Sequence, residues 1–445
     1  MAERLVVIGG DAAGMGAASQ ARRLRPDLDI VALERGDHTS YSACGIPYLV
    51  GGEVASVDDL VVRTPQEHRE KYRIDVRMRH EARGIDLDRR EVEVRDHEHG
   101  RTVRVGFDHL VLGMGAIPKR PPIPGIDLPH VHGVQTLGDG VHLLDHADDC
   151  KHVVVIGGGY IGLEIAEAFL HQGRDVTVVE AGPEVLGGLD PDMGALVTRA
   201  MRRHGVVVRT GASVKEITPT AVLTGDGEIP AELVVLGLGV APNAAMADDA
   251  GITLGPSGAI AVDRRQQTSA DGVWAAGDCS ESHHLVSDRK VHIALGTHAA
   301  KQSRVVGTNI GGGYATFAGV VGTAVTKICD TEVGRTGLNE REARDAGFRY
   351  RTTTVESTTT AGYYPSAEPI TVKLLAEERS GRLLGGQIVG GPGAAKRVDV
   401  LATALHARFD VERMTSLDLG YAPPYAPVWD PVLIAARKAA EELAR

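Results

Sequence analysis

Two glycine-rich turns, each followed by an acidic residue, are the segments of this sequence best suited to bind a ligand. They occupy residues 9–14 and 157–162, and each comes directly after a short apolar run. In turns of this spacing the first glycine permits a sharp bend, the second lets the backbone approach a pyrophosphate, and the third lets a helix pack closely on a strand. The helix that follows directs its N-terminus at the phosphates. Glu34 and Glu180 stand where an acid accepts hydrogen bonds from ribose hydroxyls, so the repeat predicts two dinucleotide sites.

A cysteine between the two turns is the second candidate for chemistry. Cys44 stands in the segment Ser-Ala-Cys-Gly-Ile-Pro, which is typical of a turn that enters a helix, and no second cysteine is nearby in the sequence. The thiolate is the reactive form of cysteine, and a helix N-terminus or a positive neighbour lowers the pKa of a thiol. An isolated cysteine is also common as a small buried apolar residue, and this is our interpretation of Cys150, Cys279 and Cys329.

The composition limits the classes of protein to which the chain can belong. Its 445 residues suggest about three domains, and a composition that is 43% hydrophobic and 24% charged is typical of a globular chain. Four cysteines exclude a disulfide scaffold, and a net charge of −11 argues against nucleic-acid binding. The sequence has no apolar run long enough for a membrane span and no signal-peptide pattern at its start. We expect a cytoplasmic protein with no membrane or nucleic-acid partner.

The elements that must position these residues repeat along the chain. Strand, glycine turn, helix and strand follow one another over residues 4–34 and again over residues 153–180, which is the βαβ pattern. A buried strand at 273–275 is expected to return to the first domain, and from residue 324 onward the sequence becomes β-rich with a helical end. We predict an α/β fold with two Rossmann-like dinucleotide-binding domains and a C-terminal α+β domain. The predicted bounds are 1–117 with 253–323, 118–252, and 324–445.

Four segments carry a resemblance to a known family. Besides the two turns, they are residues 237–243 (Gly-Leu-Gly-Val-Ala-Pro-Asn) and 275–278 (Ala-Ala-Gly-Asp). With them the chain resembles the flavin-dependent pyridine nucleotide-disulfide oxidoreductases over essentially its full length. The resemblance implies that the first domain binds FAD, that the second binds NADH or NADPH, and that the C-terminal domain forms a homodimer. It also implies that Asp278 contacts the ribityl chain of FAD and that Tyr160 covers the flavin and moves aside for nicotinamide, although a packing role for Tyr160 stays open.

The resemblance and the two turns together give a set of expected cofactor residues. Those for FAD are Gly9, Gly10, Ala13, Gly14, Glu34, Arg35, Ser42, Ala82, Gly113, Gly115, Asp278, Leu295, Gly296 and Thr297. Those for NADH or NADPH are Gly157, Gly159, Tyr160, Ile161, Gly162, Glu180 and Gly239. Glu180 favours NADH, since its charge would repel the 2′-phosphate of NADPH, but Arg202 or Arg203 leaves NADPH open. Asp11 replaces the usual middle glycine of the first turn, where a carboxylate would repel a pyrophosphate unless it turns away or is hydrogen-bonded.

The segment around Cys44 distinguishes branches within the family that the chain resembles. Members similar to glutathione reductase carry two cysteines that form a redox disulfide, whereas this segment carries one. It is similar to the single-cysteine branch, which contains coenzyme A-disulfide reductases, persulfide reductases, NADH oxidases and NADH peroxidases. Two tyrosine motifs, at 362–365 and 421–425, match the coenzyme A-disulfide reductases. The resemblance implies that the redox-active Cys44 forms a mixed disulfide. It also implies that tyrosines from the partner subunit complete a shared active site, and the first candidates are Tyr363 and Tyr421, followed by Tyr364 and Tyr425. Each tyrosine is alternatively a core or interface residue.

Departures from the family pattern bear on the substrate. Gln20, Arg23 and Ser40 match the expected lining of a coenzyme A channel, although Arg23 is alternatively a solvated helix residue. Ala43 stands where these reductases usually have asparagine, and Ala12 stands where oxidases and peroxidases have a histidine. We expect no C-terminal rhodanese domain, which is the best marker of a persulfide reductase, although that activity is not excluded by its absence.

Three functions follow as alternatives. The first is NAD(P)H-dependent reduction of coenzyme A disulfide, or of a related small disulfide or persulfide, with FAD as cofactor. The second is an NADH oxidase or peroxidase that cycles Cys44 through sulfenic acid, and the third is a redox-sensing flavoprotein that docks to a protein partner.

No metal is expected, because His97 with His99 and His283 with His284 have no carboxylate or thiol at ligand spacing.

Overall fold

A computed structural model describes residues 3–147 and 150–445. It opens with β1 (Arg4–Ile8), α1 (Ala12–Leu24) and β2 (Asp29–Leu33). A 3-10 helix (Ala43–Gly45) then runs directly into α2 (Ile46–Val50), and a second 3-10 helix (Val57–Leu60) precedes α3 (Pro65–Tyr72). The strands that follow are β3 (Asp75–Arg77), β4 (His80–Asp86), β5 (Glu91–Asp96), β6 (Arg101–Gly106), β7 (His109–Leu112) and β8 (Ala116–Pro118).

The second nucleotide unit repeats the strand–turn–helix order of the first. It contains β9 (Val131–Gly133), α4 (Leu137–Ala147), β10 (His152–Ile156), α5 (Tyr160–His171), β11 (Asp175–Val179) and α6 (Pro191–Arg203). After these come β12 (Val207–Arg209), β13 (Val214–Thr218), β14 (Ala221–Thr224), β15 (Gly227–Pro230), β16 (Leu233–Leu236), β17 (Val240–Pro242) and α7 (Ala245–Asp249).

The chain then returns to the first sheet before it builds a third unit. The returning elements are β18 (Val273–Ala275), β19 (Ser282–His283), β20 (Lys290–Val291) and α8 (Gly296–Ile310). The third unit contains β21 (Ala324–Ile328), β22 (Thr331–Gly337), α9 (Glu340–Asp345), β23 (Tyr350–Thr358), β24 (Pro369–Glu377), β25 (Leu383–Gly390), α10 (Ala394–His406), α11 (Val411–Met414) and α12 (Pro431–Leu443).

Two parallel sheets of similar design form the nucleotide units. The first has the order β18-β7-β1-β2-β3 and the second the order β12-β11-β10-β16-β9. In each, the strand before the glycine turn is buried along nearly its whole length, as expected for strands covered on both faces. β18 lies parallel to β7, so the first sheet draws on two separate parts of the chain. The third unit is an antiparallel sheet, β21-β22-β25-β24-β23, with a core that includes α10, α11 and α12.

The predicted fold class is confirmed, and the return of residues 273–275 to the first sheet agrees with the sequence. The domain bounds themselves stay a prediction. Within the part of the chain that the structure describes, no helix combines the length and the apolar character needed to cross a bilayer.

Candidate functional site

The first glycine turn is held in a form that only glycine allows. Gly9 has a φ of +107°, and a Cβ there would run into the carbonyl oxygen of Gly113. A Cβ on Gly14 would strike the carbonyl oxygen of Gly9, so helix α1 can start directly beside the turn. Glu34 Oε2 accepts a hydrogen bond from the Gly10 N–H at 2.8 Å, which fixes its carboxylate at the mouth of the turn.

The second glycine turn reproduces this arrangement. Gly157 has a φ of +105°, and a Cβ there would meet the carbonyl oxygen of Gly237. Glu180 accepts from the Gly158 N–H at 2.7 Å and from the Gly182 N–H at 2.6 Å. Each unit therefore offers a tight backbone cradle, a helix N-terminus and a fixed acid, which are the features that a dinucleotide needs.

The other expected cofactor residues occupy several elements around these turns. Leu295 is the N-cap of α8, and Gly296 and Thr297 open that helix. Gly113 packs against Gly14. The remaining residues expected at FAD are spread over the first unit: Ala13 in α1, Arg35 after β2, Ser42 before the first 3-10 helix, Ala82 in β4 and Gly115 before β8. Those expected at the nicotinamide nucleotide lie in the second unit. Gly159 is the N-cap of α5, Ile161 and Gly162 lie inside that helix, and Gly239 lies before β17.

Asp11 lies at the N-cap of α1 and lines a cavity rather than capping the helix. Burial raises the pKa of its carboxyl to about 6, and the charges of Glu34 and Asp278 act in the same direction, while the backbone N–H groups of Ala12 and Tyr41 oppose them. The N–H groups of Ala12 and Tyr41 thus offset part of the negative charge that Asp11 would bring to a pyrophosphate.

Cys44 lies in the 3-10 helix that leads into α2, and its side chain is exposed. The sequence predicts a lowered thiol pKa at such a helix start, but the structure shows the opposite. Partial desolvation raises the pKa of Cys44, and the acids Glu164, Asp278 and Asp11 raise it further, outweighing the backbone N–H of Cys44 itself. The helix start is too weak because α2 spans only Ile46–Val50 and three carboxyl groups face the thiol.

Glu164 is a residue of this site that sequence reasoning missed. It lies on α5, and its Oε1 accepts a hydrogen bond from Thr326 Oγ1 of the third unit at 2.7 Å. Burial raises the pKa of Glu164. Its approach to Cys44 joins segments far apart in sequence, so no local pattern indicates it.

We expect Glu164→Gln to make Cys44 reactive at lower pH. Removing a negative charge near the thiol lowers its pKa, so the thiolate forms earlier as pH rises, by up to about one unit. The measurement is the rate of Cys44 alkylation against pH, read by peptide mass spectrometry. Glu167→Gln, one turn along the same helix, is the matched control and should leave the profile in place. An unchanged profile in Glu164→Gln, or an equal shift in the control, would contradict the assignment.

Tyr160 carries a buried polar atom that the fold leaves open. Among the described residues its hydroxyl finds no hydrogen-bond partner, and burial raises the pKa of the phenol. Buried hydroxyls normally have a hydrogen-bond partner. The unpaired hydroxyl of Tyr160 therefore suits a residue beside which a bound molecule supplies the missing partner.

The four candidate tyrosines gather in two adjoining segments of the third unit. The Ala361 N–H donates to the Pro423 carbonyl at 3.1 Å, which joins the two motifs. Tyr364 is half-buried, whereas the exposed fractions are 78% for Tyr363, 49% for Tyr421 and 77% for Tyr425. No hydrogen bond or ring contact in the described part of the protomer connects these tyrosines with Cys44, so their role at the thiol stays a prediction.

The three predicted substrate residues meet in one cavity. Gln20, Arg23 and Ser40 line a space of ≈ 420 Å³. Arg63 and Arg304 line it as well. No sequence pattern indicates them, because Arg63 lies just before α3 and Arg304 lies in α8, both far from α1 in the sequence. The cavity thus collects three guanidinium groups, which suits a ligand with phosphate groups.

Acidic residues and histidines also meet outside the site, where a metal ion would need at least three ligands close together. The acidic trio, Asp190, Asp192 and Glu340, is close enough for an ion, but the Lys373 ammonium lies 3.1, 2.8 and 2.6 Å from these carboxylates and takes that place. The histidines dismissed from the sequence do meet acids, which corrects the spacing argument: His97 meets Glu81, His99 meets Asp96, and His283 meets Asp288. Among the described residues, none of these pairs has three ligand atoms close enough together to hold an ion, and Arg101 and Arg83 also lie against Asp96 and Glu81.

The fold and this pair of dinucleotide cradles around one cysteine define an oxidoreductase. The chain belongs to the pyridine nucleotide-disulphide oxidoreductase family, whose model matches residues 3–303. The family's dimerisation domain matches residues 323–431. The match supports a homodimer.

Similar proteins carry related names. The NAD(P)H coenzyme A polysulfide/persulfide reductase of Pyrococcus horikoshii is 38% identical over 98% of this chain and 98% of its own. The NAD-dependent persulfide reductase of A. fulgidus, a solved structure, is 39% identical with a TM-score of 0.96 over 99% of this chain and 83% of that one. An NADH oxidase of Methanocaldococcus jannaschii is 34% identical over 99% of both chains. A coenzyme A disulfide reductase of Staphylococcus epidermidis is 27% identical over 95% of this chain and 96% of its own.

These findings confirm the predicted family, the oxidoreductase class and a small-molecule substrate. The prediction of FAD with a nicotinamide nucleotide agrees with the family. Among the relatives named above, the persulfide reductases are more similar to this chain than the coenzyme A disulfide reductase is.

Proposed function

We propose that this protein is an FAD-dependent NAD(P)H oxidoreductase that reduces a coenzyme A disulfide or persulfide through the single thiol of Cys44. The observation that carries the proposal is the position of this thiol. It is exposed and lies three residues after Tyr41, which lines the cavity that also holds Arg23, Arg63 and Arg304. The names of the similar proteins support the substrate class.

The cavity supplies the recognition of the substrate. Coenzyme A carries several phosphate groups, and guanidinium groups bind phosphates through paired, charge-assisted hydrogen bonds. Arg23 Nη1 lies 3.4 Å from Gln20 Oε1, which orients one guanidinium along the wall. Ser40 Oγ, four residues before Cys44 in the sequence, lies 3.0 Å from His68 Nε2, which fixes this part of the cavity wall. A substrate held in this cavity would present its sulfur to the thiol of Cys44.

Cys44 performs the bond exchange. Its thiolate attacks one sulfur of the substrate, the sulfur–sulfur bond breaks, and the leaving thiolate takes a proton and departs as a thiol. Cys44 is left in a mixed disulfide. Two electrons and one proton then release the second thiol and restore the Cys44 thiolate. The chain must therefore hold a proton donor near the sulfur and exclude water from the exchange.

The cofactor cradles fit the groups that would complete this cycle. FAD, when bound, would supply the two-electron step between the nicotinamide and Cys44. Glu34 and the turn at 9–14 would hold its adenosine and pyrophosphate, and Asp278, whose pKa is raised by burial, would meet its ribityl hydroxyls. Glu180 and the turn at 157–162 would hold the nicotinamide nucleotide, and the open hydroxyl of Tyr160 would lie between the two sites.

The exposed tyrosines suit a site shared between subunits. Tyr363, Tyr421 and Tyr425 are exposed in the protomer, together with Val428 and Trp429, and an aromatic patch of this kind usually marks an interface. In the homodimer, Tyr363 or Tyr421 would donate the proton to the leaving thiolate of the other subunit. Because the redox-active thiol must stay reduced between turnovers, the cytoplasm is the compartment that suits this activity.

An NADH oxidase is the second candidate, since one of the similar proteins carries that name. Ala12 lies exposed at the first turn and offers no acid–base group. Turnover of a Cys44 sulfenic acid therefore lacks a residue that the resemblance associates with this chemistry.

The substrate can be identified from the group found on Cys44. We expect the purified enzyme, after exposure to coenzyme A disulfide or coenzyme A persulfide, to carry a coenzyme A adduct on Cys44 that anaerobic NADH removes in stopped-flow mixing. Intact-mass and peptide mass spectrometry identify the adduct. Oxygen or peroxide serves as the comparison. A sulfenic acid that forms and turns over as fast as the adduct would favour the oxidase, and the absence of any adduct would overturn the proposal.

A further inference from the structure

We propose that the protein binds a divalent transition-metal ion of the zinc class between strand β9 and helix α4. Four histidines form the site: His130 and His132 belong to the strand side, and His142 and His146 belong to the helix. The redox cycle uses none of them. Imidazole is the commonest protein ligand of such ions, and it suits zinc, nickel and copper.

The strand fixes the first pair. His130 and His132 flank Val131, so both lie on the opposite face from it. Val131 packs into the core on one side of the sheet. The His130 carbonyl accepts from the Val234 N–H at 2.9 Å, and His132 stands opposite Val235 in the parallel ladder. The backbone of both histidines is therefore set by the sheet, on the face that α4 covers.

The helix brings the second pair to the same place. His142 and His146 are one turn apart and lie on one side of α4. Leu143 and Ala147 anchor that helix in the core. The ring centroids of His132 and His146 are 4.8 Å apart, with 47° between the ring planes, so the strand pair and the helix pair meet.

Several ring nitrogens of this histidine cluster are not used in hydrogen bonds within the described residues. His146 Nδ1 donates to the His142 carbonyl at 2.8 Å, which leaves the lone pair on Nε2 and orients the ring as in many metal sites. The Nε2 atoms of His130 and His132 are buried and find no hydrogen-bond partner among the described residues.

Binding requires a short rearrangement of the helix pair. In the described part of the chain, only the acidic trio has three ligand atoms within 4.8 Å of one another. His142 and His146 are exposed, and rotation about their side-chain bonds is open to them. Arg120 also faces His132, and its guanidinium is neutralised by Asp127 at 2.8 Å. The ion would bind residues of both α4 and the edge strand β9 and so stabilise the contact between them, as a structural metal ion does.

Co²⁺ titration of the holoenzyme tests the proposal, because nitrogen-bound Co²⁺ has characteristic visible bands. We expect one ion per protomer and a higher melting temperature with Co²⁺ or Zn²⁺. The titration is repeated in Cys44→Ser, which separates histidine binding from metal bound at the redox thiol. His132→Ala and His146→Ala should each weaken binding by roughly tenfold or more.

Two further variants keep the test decisive. His142→Ala changes only an exposed side chain, so the core should stay intact. This variant should also bind Co²⁺ more weakly than the natural chain. His97→Ala with His99→Ala removes a histidine pair elsewhere and should bind Co²⁺ as the natural chain does. Failure of the natural chain to bind Co²⁺, or equal binding by the His132→Ala/His146→Ala variant, would overturn the proposal.

Discussion

Replacing Cys44 with serine is expected to lower NADH-dependent reduction of coenzyme A disulfide by at least about a thousandfold. Serine cannot form the mixed disulfide, and its hydroxyl is a much weaker nucleophile at neutral pH. Reduction of bound FAD by NADH should change little, because both glycine turns and their acids are untouched. Stopped-flow absorbance measures the first half of the cycle, and steady-state thiol release measures the second.

Cys329→Ser is the control for the loss of a thiol. Cys329 lies in the turn between β21 and β22, outside the cavity and both dinucleotide cradles, so this variant should retain normal turnover. Appreciable disulfide reduction by Cys44→Ser would show that another group carries the chemistry. An equal loss in both variants would show that the effect is structural.

Mixed dimers extend the same experiment to the tyrosines. A subunit with Cys44→Ser and a subunit with Tyr363→Phe and Tyr421→Phe are each expected to be impaired as homodimers. If the site is shared, a heterodimer contains one intact site, with the natural thiol from one subunit and the natural tyrosines from the other. Recovery of turnover on mixing would support the shared site, and no recovery would contradict it.

The parts of the site predicted from sequence are those whose chemistry is local. A turn with a φ of +107° at Gly9 or +105° at Gly157 admits only glycine. The glycines in the sequence therefore indicate these turns directly. The acids Glu34 and Glu180 follow at the ends of short strands, where the βαβ pattern places them.

The parts that sequence reasoning missed are contacts between distant segments. Arg304 reaches the cavity only because α8 packs beside α1, and Glu164 approaches Cys44 only because α5 and α2 adjoin. The raised pKa of Cys44 is a sum over such neighbours, whereas the sequence shows only the helix start. The histidine cluster was missed for another reason: β9 is three residues long, too short for an alternating pattern to reveal that His130 and His132 share a face.

We predict that Glu180 decides between NADH and NADPH. Its carboxylate is held by the N–H groups of Gly158 and Gly182, so it cannot swing away from a 2′-phosphate. Arg202 and Arg203, which left NADPH open on sequence grounds, have other partners: Arg202 donates to the Val208 carbonyl, and Arg203 lies 3.7 Å from Asp330. The preference for NADH stays a prediction, and these contacts agree with it.

Glu180→Gln is expected to raise kcat/KM for NADPH by roughly 10- to 100-fold, which corresponds to about 1.4 to 2.8 kcal/mol. The amide removes the repulsion. We expect Arg209, whose carbonyl accepts from the Glu180 N–H at 2.8 Å, then to offer a cation to the 2′-phosphate. Steady-state kinetics with both nucleotides measure the change.

Two variants separate the effect of the Glu180 charge on nucleotide preference from the effects of a neighbouring acid and of Arg209. Glu184→Gln removes an acid from the same loop, where it accepts from Thr198 Oγ1 at 2.6 Å, and should not change the preference. Adding Arg209→Gln to Glu180→Gln should cancel most of the gain with NADPH, since the phosphate then meets neither repulsion nor a cation. A natural enzyme that prefers NADPH, or a Glu180→Gln variant with unchanged kcat/KM for NADPH, would show that this carboxylate does not select the nucleotide.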